Sequence, residues 1–94
     1  MFVITVQFTV NAANLPEFEE AVVAQADNSL KFEEECHLFD VAVAENNPCV
    51  FFLYEIYSNK EAFDAHLETP HFHAFNQLAT PWVTNKVVKN WRKL

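Results

Sequence analysis

The sequence predicts an α+β fold in which helices cover one face of an antiparallel sheet. Four segments alternate in hydrophobicity with the period of a β-strand, and the stretches between them carry helical periodicity and capping residues. Two strands are joined by a short turn and the others by helices, which gives the order β-α-β-β-α-α-β. This order is typical of a ferredoxin-like, split βαβ arrangement, and residues 1–94 are long enough for one such domain.

The first strand and the first helix are marked by their periodicities. Residues 2–10 alternate, which predicts a strand with one dry face. Asn14 and Pro16 are typical of a helix start, and the helix is expected to span residues 15–30. Past Val22 its apolar stripe continues as polar residues, namely Gln25, Asn28 and Ser29. Such polar groups either border a cavity or belong to a helix end that frays into solvent.

The third strand predicts a partner subunit. Residues 36–45 and residues 50–57 form a hairpin through the turn at residues 45–48. Both faces of the third strand are apolar or aromatic, so both should be covered. If the helices return to one side, the other side needs a second sheet, which in so short a chain must come from another copy. We therefore predict a homodimer formed by sheet-to-sheet packing.

The second half of the chain contains two helix starts and a final strand. Ser58 and Glu61 have the spacing of a capping box, and Pro70 suits the first turn of another helix. One face of that helix carries His71, Phe75, Leu78 and Trp82. Residues 86–94 form the last strand. The chain has no glycine, so turns that need a positive φ are expected to use asparagine, at Asn46, Asn47 and Asn59.

Composition excludes several classes of function. Six Lys/Arg against thirteen Asp/Glu give a formal charge of −7, and no basic stripe is present for nucleic acid. Without glycine, neither a GxGxxG turn nor a Walker loop can form. No apolar run reaches the roughly 20 residues of a membrane span, and the N-terminus does not have the pattern of a signal peptide. We expect a cytoplasmic protein with Cys36 and Cys49 as free thiols.

Three histidines lie within eight residues, among phenylalanines: His66, His71 and His73. Imidazole has an unperturbed pKa near neutrality, so histidines beside an apolar wall suggest proton-transfer chemistry. For any single histidine, the favoured interpretation is a surface or packed residue. The cluster as a whole favours a role for at least one.

Two blocks of the sequence resemble the antibiotic biosynthesis monooxygenase family. One is EEECHLFDV at residues 33–41, and the other is YEIY at residues 54–57 followed by EAFDAHLETPHFHAF at residues 61–75. The resemblance implies a dimeric α/β barrel with a pocket between each sheet and its helices. Glu35 stands where the family commonly has glycine. The tryptophan on which the haem-degrading branch relies is missing from the helix after the third strand, which lowers the prior for haem degradation.

The resemblance also implies the chemistry. Characterised relatives oxidise quinol-like or polyketide phenols with oxygen and no cofactor, and others isomerise a phosphorylated autoinducer-2 signal. The leading hypothesis is a cofactor-independent monooxygenase that acts on an aromatic or quinol-like compound. The alternatives are an isomerase of a small carbonyl compound and a non-catalytic ligand-binding dimer. Few basic residues are available for a phosphorylated substrate, which weighs against the signal isomerase.

The candidate site residues follow from this chemistry. His66 and His71 are the candidates for the general base, and Glu55 on the adjoining strand could orient one of them. The candidates for substrate binding are Asn28, Tyr54, Phe75 and Trp82. Because the histidines are not spaced as in HExxH on one helix, we predict no metal. The expected partners are a second copy of the chain, the small substrate and oxygen, without nucleic acid or membrane.

Overall fold

The computed structural model describes all 94 residues and confirms the predicted order of elements. The strands are β1 (Phe2–Val10), β2 (Cys36–Ala44), β3 (Asn47–Tyr57) and β4 (Val83–Arg92). The helices are α1 (Leu15–Phe32), α2 (Lys60–His66) and α3 (Pro70–Ala79). Short 3-10 turns lie before α1, at Ala12–Asn14, and after α3, at Thr80–Trp82.

The four strands form one antiparallel sheet in the order β2-β3-β1-β4. This order and the helical connections confirm the predicted ferredoxin-like α+β fold. The register places Ile4 opposite Glu55 and Phe8 opposite Phe51, so these side chains share one face of the sheet. We call this the inner face, because its residues pack against α1 in the hydrophobic core.

The core lies between the inner face and the helices. Phe18 and Val22 on α1 are fully buried. The Phe18 ring lies 5.3 Å from the ring of Phe8 and 4.8 Å from that of Phe51, measured between centroids. These contacts hold α1 across the two central strands and determine which face of the helix packs against the sheet.

The outer face of the sheet stays apolar and exposed. Phe52, Val87 and Trp91 alternate with inner-face residues on β3 and β4, and they are 42%, 39% and 51% exposed. The Trp91 indole nitrogen donates a hydrogen bond to the Thr5 hydroxyl at 2.9 Å, which links the side chain to β1. The predicted two-faced character of β3 is therefore present in the fold.

Two local predictions were wrong in detail. Asn59, not Ser58, caps α2, because its side chain accepts a hydrogen bond from the Ala62 backbone N–H at 2.8 Å. Ser58 instead contacts the ring of His37 at 2.6 Å. No residue has a positive φ, so the asparagines are not used for that purpose: the two-residue turn between β2 and β3 closes without one.

The ends of several elements also differ from the prediction. The first helix continues to residue 32, the third strand begins at residue 47, and the last strand spans residues 83–92. The last strand begins early because Val83 pairs with Val10 across a bulge in the ladder. No helix in the structure combines the length and the apolar character needed to cross a membrane.

Candidate active site

Two histidines converge on one carboxylate. His66 Nδ1 lies 2.8 Å from Glu33 Oε2, and His71 Nε2 lies 2.5 Å from the same oxygen. Glu33 directly follows α1, His66 is the last residue of α2, and His71 lies in the first turn of α3. All three side chains are largely buried. We call this group the His–Glu–His cluster.

The corner between α2 and α3 sets the positions of the two histidines. The Thr69 hydroxyl donates to the His66 carbonyl at 2.8 Å and accepts from the Phe72 backbone N–H at 3.2 Å. One side chain thus closes α2 and caps α3. Pro70 at the start of α3 fixes the direction of the new helix. Both imidazoles are directed at the end of α1 as a result.

The pKa of Glu33 decides which ring nitrogens carry protons. Burial alone would raise this pKa, but hydrogen bonds from His66 and His71 and electrostatic attraction to them lower it from the ordinary value of 4.5. Glu33 is therefore ionised at neutral pH and can only accept hydrogen bonds. His66 Nδ1 and His71 Nε2 must both be donors. In neutral His66 the unprotonated nitrogen is Nε2, which has no hydrogen-bond partner within the protein.

An apolar cavity of about 240 Å³ lies beside the cluster. His66 lines it together with side chains from the sheet, α1 and α3, and nine of its fourteen lining residues are hydrophobic. Polar groups reach it from Gln25, Glu55, Asn76 and Lys86. A mostly apolar chamber with a few convergent polar groups is the usual form of a small-molecule site.

Glu55 also lines the cavity, but it does not contact either histidine. Its Oε1 accepts a hydrogen bond from the Tyr57 hydroxyl at 2.6 Å. Burial raises the pKa of Glu55 to about 7, against the lowering effect of Tyr57 and His66. The predicted orienting role of Glu55 therefore needs correction: the carboxylate that contacts the histidines is Glu33. Burial also raises the pKa of the nearby Cys36 thiol to about 12, so this cysteine stays protonated and is not a nucleophile.

The other predicted site residues lie in different places. Phe75 lines the cavity. Asn28 lines a separate groove between α1 and α3, together with His71. Tyr54 lies on the outer face of the sheet, opposite Thr5, because neighbouring residues of a strand point to opposite sides. Trp82 packs against the core from the 3-10 turn and does not line the cavity.

The sequence-based prediction did not assign to the site Glu33, which contacts His66, or Gln25, which lines the cavity. Glu33 is the first residue of the EEECHLFDV block, and it could have been found there as an acidic side chain at the end of a helix. Gln25 belongs to the polar continuation of the α1 stripe, which was noted without being assigned to a site. Both residues stood out in the sequence as polar side chains at the end or on the inner stripe of a helix. The other residues of the site lie far away along the chain, so sequence spacing could not connect them.

The His–Glu–His cluster also offers ligand atoms of the right type for a metal ion. The nitrogens of His66 and His71 and an oxygen of Glu33 all lie within 4.8 Å of one another. Two imidazoles and a carboxylate suit zinc or ferrous iron. In the structure these atoms form hydrogen bonds with one another. That the protein uses no metal stays a prediction, and removal of metal with a chelator tests it.

The fold and the site define a small ferredoxin-like α+β protein with a buried histidine beside an apolar cavity. Residues 1–78 match the sequence profile of the antibiotic biosynthesis monooxygenase family, so the chain belongs to this family and the resemblance noted above is confirmed. No protein of curated function matches the chain.

Solved structures agree with the family assignment. A provisionally named antibiotic biosynthesis monooxygenase from Nitrosomonas europaea shares 25% identity, with a TM-score of 0.95 over 100% of this chain and 99% of its own. A conserved protein of unknown function from Bacteroides thetaiotaomicron, described as a possible oxidoreductase, shares 26% identity, with a TM-score of 0.89 over 96% and 94%. A provisionally named monooxygenase from Lactobacillus acidophilus shares 27% identity, with a TM-score of 0.90 over 95% of this chain and 43% of its own.

Proposed function

We propose that the protein is a cofactor-independent monooxygenase that acts on a quinol-like aromatic compound, with His66 as the general base. The observation that supports this most directly is the arrangement of His66. Its Nδ1 is held by the Glu33 carboxylate, its Nε2 has no protein partner, and the ring lines an apolar cavity. Membership of the antibiotic biosynthesis monooxygenase family supports the reaction class.

The pair of Glu33 and His66 suits the first step. His66 Nε2 would accept the proton of a substrate hydroxyl, which makes the ring imidazolium. The Glu33 carboxylate would stabilise that charge and keep the imidazole in the reactive tautomer. The apolar walls would favour a flat aromatic substrate and limit the access of water to the intermediates.

The redox balance requires no external reductant. The deprotonated quinol passes one electron to oxygen, and recombination of the two radicals forms a carbon–oxygen bond at the ring. Loss of water from the hydroperoxide converts the ring carbon that carries it into a carbonyl, and tautomerisation gives the hydroxyquinone. The substrate supplies all four electrons, one oxygen atom enters the product and the other leaves as water. The proposed reaction therefore needs no redox cofactor besides the residues of the cavity.

The first prediction concerns metal removal. Protein that has been dialysed against a chelator and freed of metal should consume oxygen in the presence of menadiol above the uncatalysed rate, with one oxygen molecule per turnover. Incorporation of one atom from ¹⁸O₂ into the product checks the reaction type. If activity disappears on chelation and returns with zinc or iron, the His–Glu–His cluster is a metal site and the cofactor-free proposal is wrong.

The isomerase remains a second candidate because of Lys86. The sequence offers few basic residues for a phosphorylated substrate, but one of them, Lys86, lines the cavity, where its ammonium group lies 5.6 Å from the centre of the Phe8 ring. A cation there could hold an anionic carbonyl compound while His66 moves a proton between neighbouring carbons. Turnover of such a compound under anaerobic conditions, together with no oxygen uptake on quinols, would favour this function.

We further propose that two copies of the chain associate through their outer sheet faces. A domain of this size buries only about 60–65% of its unfolded surface and gains from added burial. The exposed Phe52, Val87 and Trp91 form an apolar patch of the kind that marks an interaction surface. The reaction would take place in the cytoplasm, where Cys36 and Cys49, both unpaired in the structure, would stay reduced.

The second prediction tests this interface. Phe52→Glu should convert a dimer into a monomer at micromolar concentration, because it would bury two unpaired carboxylates between the sheets. Light scattering coupled to size exclusion gives the molar mass. Leu78→Glu is the matched control, since Leu78 is equally exposed but lies on α3, away from the outer face. A monomeric wild-type protein would contradict the proposal directly.

A further inference from the structure

Gln25 is a buried polar side chain that lacks a partner. It is 3% exposed and lies on the inner side of α1, where it lines the cavity beside His66. Its Oε1 is buried and accepts no hydrogen bond within the protein. The neighbouring polar residue Ser29 differs, because its hydroxyl donates to the Gln25 backbone carbonyl at 2.8 Å. Of these two groups on the stripe, only the Gln25 carboxamide is unsatisfied.

An orphan carboxamide in this position is destabilising unless something else binds it. Buried polar groups in folded proteins are almost always hydrogen-bonded, since their loss of water is otherwise uncompensated. At Phe18 and Val22 the same stripe of α1 carries fully buried apolar side chains, which serve for packing alone. A methionine at position 25 would continue that packing with nearly the same volume and no unmet hydrogen bond. The carboxamide is therefore explained by a molecule that occupies the cavity.

The size of the cavity limits what that molecule can be. A volume of about 240 Å³ is larger than the roughly 150 Å³ of an apolar protein cavity that takes benzene, and smaller than the pockets of drug-sized ligands. One ring or two fused rings would fit. Gln25 reaches this space from α1 and His66 reaches it from α2, so such a ring has polar contacts on two separate elements.

We propose that the Gln25 carboxamide binds a second oxygen substituent of the ring whose first hydroxyl is deprotonated by His66. The inference rests on the proposed function and gives the second oxygen of the quinol a protein partner, so that rings with two oxygen substituents bind in preference to monophenols. The carboxamide can both donate and accept, so it suits the second hydroxyl of the quinol and the carbonyl that this hydroxyl becomes.

The third prediction tests this assignment by removing the hydrogen bond in two ways: by omitting the second oxygen of the ligand, or by replacing the Gln25 carboxamide. Binding of 1,4-dihydroxynaphthalene and of 1-naphthol is measured by anaerobic calorimetry, so that no turnover occurs. Wild-type protein should bind the diol about tenfold more tightly, which corresponds to one buried hydrogen bond. In Gln25→Met the two ligands should bind within about twofold of each other. Gln77→Met is the matched control, because Gln77 is exposed on α3 and the preference should survive there.

The outcomes separate this inference from the proposed function. Equal binding of both ligands by wild-type protein would overturn the role of Gln25, and this comparison needs no variant to fold. A full preference for the diol in Gln25→Met would overturn it as well. Failure of the wild type to bind either ligand would remove the proposed substrate class. Oxygen uptake on quinols and its dependence on His66 are measured separately, so the monooxygenase proposal can stand or fall independently.

Discussion

Replacement of His66 with asparagine is expected to lower quinol turnover by roughly 10²- to 10⁴-fold, the range that a general base contributes. Asparagine keeps a side-chain N–H near the position of Nδ1, so the hydrogen bond to Glu33 and the packing can survive. What it removes is the basic Nε2. Substrate affinity should change much less than turnover, because the lost group acts in the transition state.

Variants of the other histidines show whether this loss is specific. His71 contacts the same carboxylate but lines the neighbouring groove instead of the cavity, so His71→Asn should lower turnover far less than His66→Asn. His73 is exposed and outside the cluster, and His73→Asn is the control that should retain wild-type activity. The rates are compared by oxygen uptake at saturating quinol. Full activity in His66→Asn would exclude the proposed base.

The second large effect concerns stability and pH. Burial raises the pKa of Glu55 to about 7 in the folded protein, from an ordinary value of 4.5 that is expected when the chain is unfolded. Between these two values the unfolded chain loses the proton while the folded protein keeps it, so folding becomes less favourable as pH rises. The contribution is fully present below pH 4.5 and is lost by about pH 7. This gap corresponds to about 3 kcal/mol.

Glu55→Gln removes the ionisable group and keeps an oxygen that can accept from Tyr57. The variant should match the wild-type protein near pH 4.5 and exceed its free energy of unfolding by about 3 kcal/mol at pH 8. Urea titrations at a series of pH values give this difference directly. Glu68→Gln, an exposed site on the loop after α2, should show no such divergence. Parallel curves for wild type and Glu55→Gln would mean that Glu55 titrates normally in the folded protein.

Much of the fold could be predicted because its signals are local. Alternation over residues 2–10 and 36–45 gives strands, and Pro16 and Pro70 mark helix starts, whatever the rest of the chain does. The cap at Asn59 was missed by one position, since serine and asparagine are both good caps and only the backbone path selects between them. The positions of the histidines in the sequence likewise predicted that α2 and α3 contribute to the site.

The sequence alone determined the class of fold, the two faces of β3 and the two histidines of interest, because each is encoded within one or two turns or strands of chain. The tertiary structure decided which carboxylate they contact. Glu33 lies 33 positions before His66, and only the packing of α1 against the sheet brings them within hydrogen-bond distance. The same packing turned Gln25 into the cavity and left Tyr54 outside it. Contacts between distant segments depend on how whole helices and strands pack against one another. The local periodicity of the sequence carries no information about that packing.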